Sequence, residues 1–252
     1  MSLRFSLRLA VALAAWALLG PAVQAGEFSV TPVRLEFGAG MRTQLLSITN
    51  TGTTPARFLV RGAAWTMNEA GGVVTSDSDT LVVFPASFAL APKATQNIRV
   101  GTAERPGEDE KTWRVVLEEV PDATAPPPGG ATINVLSMIS VPVFMRPLAP
   151  RHALDLAWGG AAGTTARVTL ANGGNVTELV GSVSVAPVRG GQAQAPSRTE
   201  GWYVLPGKRR VYAFEQSGGW CAPGVTGFQL VALDVQGQPM ASRTVDASEA
   251  CR

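Results

Sequence analysis

Short runs in which apolar and polar residues alternate fill most of this chain, each closed by Gly, Pro or Asn. Period-two alternation with Val, Thr, Leu and Phe at the apolar positions predicts half-buried strands, and the long Ala/Glu/Lys/Leu runs of helical proteins are missing. The first series comprises Glu27 to Phe37 (interrupted by Pro32), Gln44 to Asn50, Ala56 to Trp65, Leu81 to Phe84, Ser87 to Leu90, Gln96 to Val100 and Thr112 to Val120. Pro32 permits only an edge position or a change of sheet within the first run. Asn68 to Asp79 reads as a polar loop, and Pro126-Pro127-Pro128-Gly129-Gly130 as another. Then comes the longest extended run, Ala131 to Met145, closed by Arg146-Pro147. It is apolar at both parities, so one face packs on its own domain and the other calls for a different cover.

A hinge with two prolines, Arg146 to Pro150, precedes a second series. Its strands are Ala153 to Trp158, Ala166 to Ala171, Glu178 to Val185, Arg209 to Phe214, Gly227 to Val235 and Met240 to Val245, with Gly190 to Gly201 a polar loop. Two strand series at this spacing predict an all-β protein of two sandwich domains, residues 26–147 and 148–252.

Composition changes the picture at the N-terminus. Arg4 and Arg8, the apolar stretch Leu9 to Leu19 and the small residues ending at Ala25 have the form of a signal peptide over residues 1–25. Its removal takes the formal net charge from +2 to 0, so the mature chain carries no electrostatic argument for nucleic acid or an anionic membrane. No later run is long enough to span a bilayer, and stable membrane insertion is not expected. Export places Cys221 and Cys251 in an oxidising compartment, where a disulfide between them is the expectation.

Three stretches resemble one family: FPASFALAPKATQNIRV from Phe84 to Val100, WRVVLEEVP from Trp113 to Pro121, and VPVFMRP from Val141 to Pro147. They resemble the PapD-like periplasmic chaperones of chaperone–usher pilus assembly, the archaic branch in particular. That resemblance implies two immunoglobulin-like β-sandwich domains set in an L or boomerang. It also implies a function: to lend an edge strand to pilus or fimbrial subunits that lack their own last strand, then pass them to an outer-membrane usher without ATP. A subunit missing one strand exposes apolar surface and unpaired backbone groups, which an added strand satisfies; strand donation by such chaperones is itself a standard example of this recognition mode.

Matching the Phe-x-Arg-Pro end of the long run to the family assigns Ile133, Val135, Ser137 and Ile139 to the donor face. A register one residue off would exchange these for Leu136 and Met138. Family members also grip the subunit's terminal carboxylate with basic residues in the interdomain cleft. Arg34 matches the first-strand arginine, whereas Pro142 stands where the best-known members carry a lysine. Arg114 is the expected substitute, because an antiparallel neighbour brings its strand start beside the end of the long run. Arg99, Glu110 and Asp234 match charges that fix the domain orientation in the family.

Candidate catalysis is sparse. His152 is the single histidine and reads as a surface residue, Glu118 and Glu119 point to opposite faces of a strand, and no nucleotide or zinc spacing occurs. No enzyme activity, cofactor or metal is therefore expected. Asn175-Val176-Thr177 fits a glycosylation triplet of no diagnostic weight. The rival reading is a structural or adhesive Ig-like subunit of a surface fibre. Self-association of the free form is a further way to cover the same edge.

Overall fold

The computed structural model describes residues 27–38, 40–68, 70–121 and 135–251. The segment read as a signal peptide and the donor position Ile133 lie outside the described residues. Ten strands build the first sandwich: β1 (Phe28–Thr31), β2 (Leu35–Phe37), β3 (Thr43–Asn50), β4 (Ala56–Met67), β5 (Val73–Asp77), β6 (Leu81–Phe84), β7 (Ser87–Leu90), β8 (Thr95–Thr102), β9 (Lys111–Val120) and β10 (Met138–Met145). One sheet has the order β1-β3-β8-β6. The other runs β2-β10-β9-β4-β5, with β7 also on β4.

Pro32 marks the sheet change that its position allows. β1 pairs antiparallel with β3 in the first sheet. After a cis Thr31–Pro32 bond the chain crosses over, and β2 pairs in parallel with the end of β10 in the second. Between the sheets, Leu35, Phe37, Ile48, Phe58, Ile98, Leu117, Val141 and Val143 form a core with almost no exposed surface. Gly62 is needed where β4 passes β6. A Cβ there would stand 2.3 Å from the Leu81 carbonyl oxygen, inside any permitted contact.

A second core gathers Leu156, Val168, Leu170, Val183, Val185, Phe214, Trp220, Phe228 and Leu230. It is closed by a three-stranded sheet (Leu154–Ala162, Thr165–Asn172, Arg209–Glu215) and a five-stranded one centred on Ser182–Arg189 and Gly227–Leu233. The two cores are those of two Ig-like sandwiches.

Two stretches read as loops carry strands. Val73–Asp77 forms a hairpin with β4 although all five residues are exposed, and Ser197–Glu200 pairs with Ser182–Arg189. Backbone pairing supplies these strands, so side-chain alternation leaves little trace of them. The long run is shorter than expected. β10 begins at Met138, and Val135 to Ser137 carry no strand assignment. Its neighbour β9 stops at Val120 before Pro121, which offers no N–H to extend the ladder.

Cys221 and Cys251 form a disulfide across a sequence separation of 30, pinning the short helix Ala247–Ala250 beside the second core. Loop-closure entropy for a ring of that size corresponds to about 3–4 kcal/mol. The double substitution Cys221→Ala/Cys251→Ala should lower unfolding stability by that order in a denaturant titration; a loss below about 1 kcal/mol contradicts this account of the cross-link.

Candidate functional site

The site begins with a strand paired unequally on its two sides. Every residue of β10 is registered against β9, from Met138 opposite Glu118 to Met145 opposite Lys111. On the other side only Val143, Phe144 and Met145 have partners, on β2. From Met138 to Pro142 that side meets no strand among the described residues. The ladder direction follows from Ser137, whose carbonyl accepts from Glu119 N at 2.9 Å. Antiparallel alternation then turns the backbone groups of Ile139, Val141 and Val143 toward β9, and those of Met138, Ser140 and Pro142 away from it. Pro142 accordingly lacks its N–H where that group would face outward, so the β9 ladder loses nothing.

Side chains alternate with the same period. Val141, Val143 and Met145 enter the first core, and Ile139 packs partly against it. Ile139, expected on the donor face, is half-buried against the first core and stands opposite Leu117. Ser137 is half-buried, its N–H donating to Glu119 Oε2 at 2.9 Å. Val135 is 88% exposed, the most open large apolar side chain described. Met138 and Leu136 are also exposed.

The outer face of the same sheet continues into the seam between the domains. Trp65 and Met67 of β4 and Phe144 of β10 meet Leu205 and Tyr203 of the second domain. Trp65 and Phe144 ring centroids are 5.6 Å apart, and Tyr203 lies 5.5 Å from the first and 5.7 Å from the second. Both predicted anchor arginines rest on this cluster. Arg34 lies 4.4 Å above the Phe144 ring, and Arg114 lies 4.1 Å above the Trp65 ring. Such stacking fixes the guanidinium plane while leaving its edge donors free.

The two cations differ in their partners. Arg34 Nε lies 2.8 Å from Glu36 Oε1, close enough for an ion pair but outside hydrogen-bond alignment. Arg114 is 7% exposed and its Nη1 donates to Ser140 Oγ at 3.2 Å. Its Nε and Nη2 are buried without an acceptor. Burial depresses this guanidinium below its ordinary value, an effect the neighbouring Tyr203 partly offsets. A planar fork with two unsatisfied donors suits an incoming carboxylate.

The expected charge set does not assemble. Arg99 sits on the exposed face of the opposite sheet, between Leu45 and Phe84. Asp234 Oδ1 accepts from Gln236 N and Gln238 N, capping its own turn. Glu110 alone reaches the seam. Its Oε2 accepts from Thr177 N at 2.7 Å, and its N–H donates to Asn175 O at 2.9 Å. Asn175, buried, ties the seam further by donating to Glu108 O and Ala149 O. The glycosylation triplet is thus a structural corner. Arg210 Nη1 adds a bond to Gly71 O across the same seam. His152 is exposed as expected, with Nδ1 2.6 Å from Glu178 Oε1.

Sequence reasoning missed the cluster of Trp65, Phe144 and Tyr203. A usable signal existed: on β4, Trp65 and Met67 have the parity opposite to the core residues Phe58 and Val60, yet remain large and apolar.

Residues 27–150 match the family described as pili and flagellar-assembly chaperone, PapD N-terminal domain. Among curated proteins none is significantly similar to this sequence. Solved structures share the fold. One is the CsuC–CsuE chaperone–tip adhesion subunit pre-assembly complex of archaic chaperone-usher Csu pili from Acinetobacter baumannii, at 14% identity and TM-score 0.57 over 88% of this chain and 98% of the other. A second is the SafA pilin with the SafB chaperone from Salmonella enterica, at 17% identity and TM-score 0.54 over 89% and 98%. A third is the E. coli chaperone DraB, at 14% identity and TM-score 0.52 over 87% and 98%.

Glu110 makes the seam sensitive to pH. Burial raises its pKa above the ordinary 4.5, outweighing the hydrogen bonds from Thr177 and the attraction of Arg34 that lower it. A carboxyl whose folded pKa is raised contributes stability that is full at low pH and lost as pH rises through that folded value. Relative to Glu110→Gln, the wild type should therefore lose thermal stability as pH rises above 4.5, the ordinary value of the group. A difference in melting temperature that stays constant through that rise would contradict the assignment.

Proposed function

Since the chain belongs, through its first domain, to the PapD-like pilus-assembly chaperones, we propose that it binds pilus subunits in the periplasm by strand donation and delivers them to an outer-membrane usher. Residues 1–25 direct export and are removed. The observation that carries this reading is the open side of β10 beside Arg114, whose two buried donors lack an acceptor. A subunit strand laid along Met138 to Pro142 gains backbone partners, and its apolar groove receives the side chains that precede Ser137. Val135 is proposed as a donor from its exposure and the family match, and Ile133 from the family match alone.

The subunit's terminal carboxylate is held in the seam by Arg114 and Arg34. Arg114 thereby takes the part that a lysine at position 142 plays in other family members. The work needs no ATP, cofactor or catalytic group, and the partners are subunit and usher rather than nucleic acid.

The test is periplasmic co-expression with a pilus subunit lacking its last strand, followed by co-purification and affinity measurement. Wild type should recover soluble subunit. Removing one member of a buried, hydrogen-bonded charge pair costs about 2–5 kcal/mol, so Arg114→Ala should lose most of the complex. Val135→Ser should weaken it less, by about 1–3 kcal/mol of lost apolar burial. An unbound subunit with wild type, or an intact complex with Arg114→Ala, overturns the reading.

A further inference from the structure

The two cleft arginines differ in what already neutralises them. Among the described residues Arg114 has no carboxylate within ion-pair distance, and two of its nitrogens are buried without a partner. Arg34 already faces one, through the 2.8 Å approach of Glu36 Oε1 to its Nε. The other oxygen of Glu36 is taken by Arg146, with Nη2 at 2.6 Å and Nε at 2.8 Å. Glu36 stands beside Phe144 in the parallel pairing of β2 with β10, and Phe144 is the ring beneath Arg34. A single carboxylate therefore bridges two arginines, one oxygen to each.

We propose that Glu36 is a resident stand-in for the client's terminal carboxylate on Arg34, and that Arg146 is the cation to which it withdraws when a client binds. The proposal rests on the anchor reading above and adds its control. Glu36 approaches the Nε edge of the Arg34 fork as an ion pair without an aligned hydrogen bond, on one of the edges from which a guanidinium makes paired contacts to a carboxylate. A second carboxylate arriving there meets like charge from Glu36 unless that side chain moves. Arg146 makes the move inexpensive, because it already holds Oε2 through two nitrogens.

The exposures fit an exchangeable contact. Side chains of Arg34, Glu36 and Arg146 are 28%, 34% and 56% exposed, so solvent screens the existing pair. Glu110, half-buried nearby, is attracted by Arg34 and repelled by Glu36, so it shares their electrostatic environment. Two roles then separate. Arg114 is the standing anchor, and Arg34 becomes available only to a group that can displace Glu36. A free carboxylate can do so, and a terminal amide cannot.

The probe is a nonapeptide of alternating valine and threonine with a free C-terminal carboxylate, compared with its C-terminal amide. Titrations of the full mature chain, followed by NMR of the arginine Nε–H signals, give the ratio of amide to acid dissociation constants. Glu36→Gln, which keeps the shape, should raise that ratio about two- to five-fold, the scale of a partly exposed ion pair. Arg146→Ala should lower it, because Glu36 then has Arg34 alone. In the Glu36→Gln background Arg146→Ala should have no effect, an epistasis that a purely structural role for Arg146 would not produce.

A ratio unchanged by Glu36→Gln overturns the proposal. So does an Arg146→Ala effect that persists without Glu36. Arg114→Ala separates the two levels of the argument. If wild type prefers acid and Arg114→Ala abolishes the preference while Glu36→Gln does nothing, only the stand-in role fails. If wild type shows no preference for acid over amide, the anchor reading fails and the stand-in role fails with it.

Discussion

The arrangement depends on one asymmetry: among the described residues, β10 is paired along its whole length on one side and for only three residues on the other. The open backbone groups of Met138 and Ser140 are a liability in any soluble sandwich, since unpaired edges recruit other chains. Most sandwiches blunt such an edge with charge or a covering loop. Here the neighbouring side chains include exposed Val135, Leu136 and Met138, which make the edge more receptive. Pro142 limits its extent by removing one outward donor, just before β2 takes over the pairing.

The second domain supplies what an isolated edge cannot, a fixed end point. Tyr203 and Leu205 close over Trp65 and Phe144, and Asn175, Thr177 and Arg210 hold the seam through hydrogen bonds to the first domain. Aromatic rings then serve as platforms over which Arg34 and Arg114 sit. A strand added along β10 is gripped by backbone contacts without any marker of register. A carboxylate fixed at the seam provides one, because backbone ladders tolerate slips that a charged terminus does not. In the proposed complex, affinity and register thus come from different elements.

Much of this was legible in the chain itself. Alternation located nearly every strand with an apolar face, Pro32 limited the first run to an edge position or a change of sheet, and Cys221 with Cys251 located the cross-link. Arg34 was placed by its match to the family's first-strand arginine, and Arg114 by the antiparallel direction of its strand against the end of β10. What stayed hidden was tertiary. β5 is entirely exposed and held by backbone bonds, so its residues carry no pattern. Arg99 and Asp234 match family charges in sequence but face solvent and a local turn, since orientation depends on strand parity and turn geometry that a motif does not encode. Ile139 has the parity of the donor residues yet lies where the core already reaches.

The central claim is that a client's terminal carboxylate completes the unsatisfied fork of Arg114 while its strand lies on the open side of β10. A crystal structure of the complex with a pilus subunit tests it directly. The account predicts a carboxylate oxygen about 2.7–2.9 Å from Arg114 Nη2 or Nε, with subunit backbone bonded to Met138 and Ser140. A subunit seated elsewhere, or a complex in which both Arg114 nitrogens still lack a carboxylate, would contradict it.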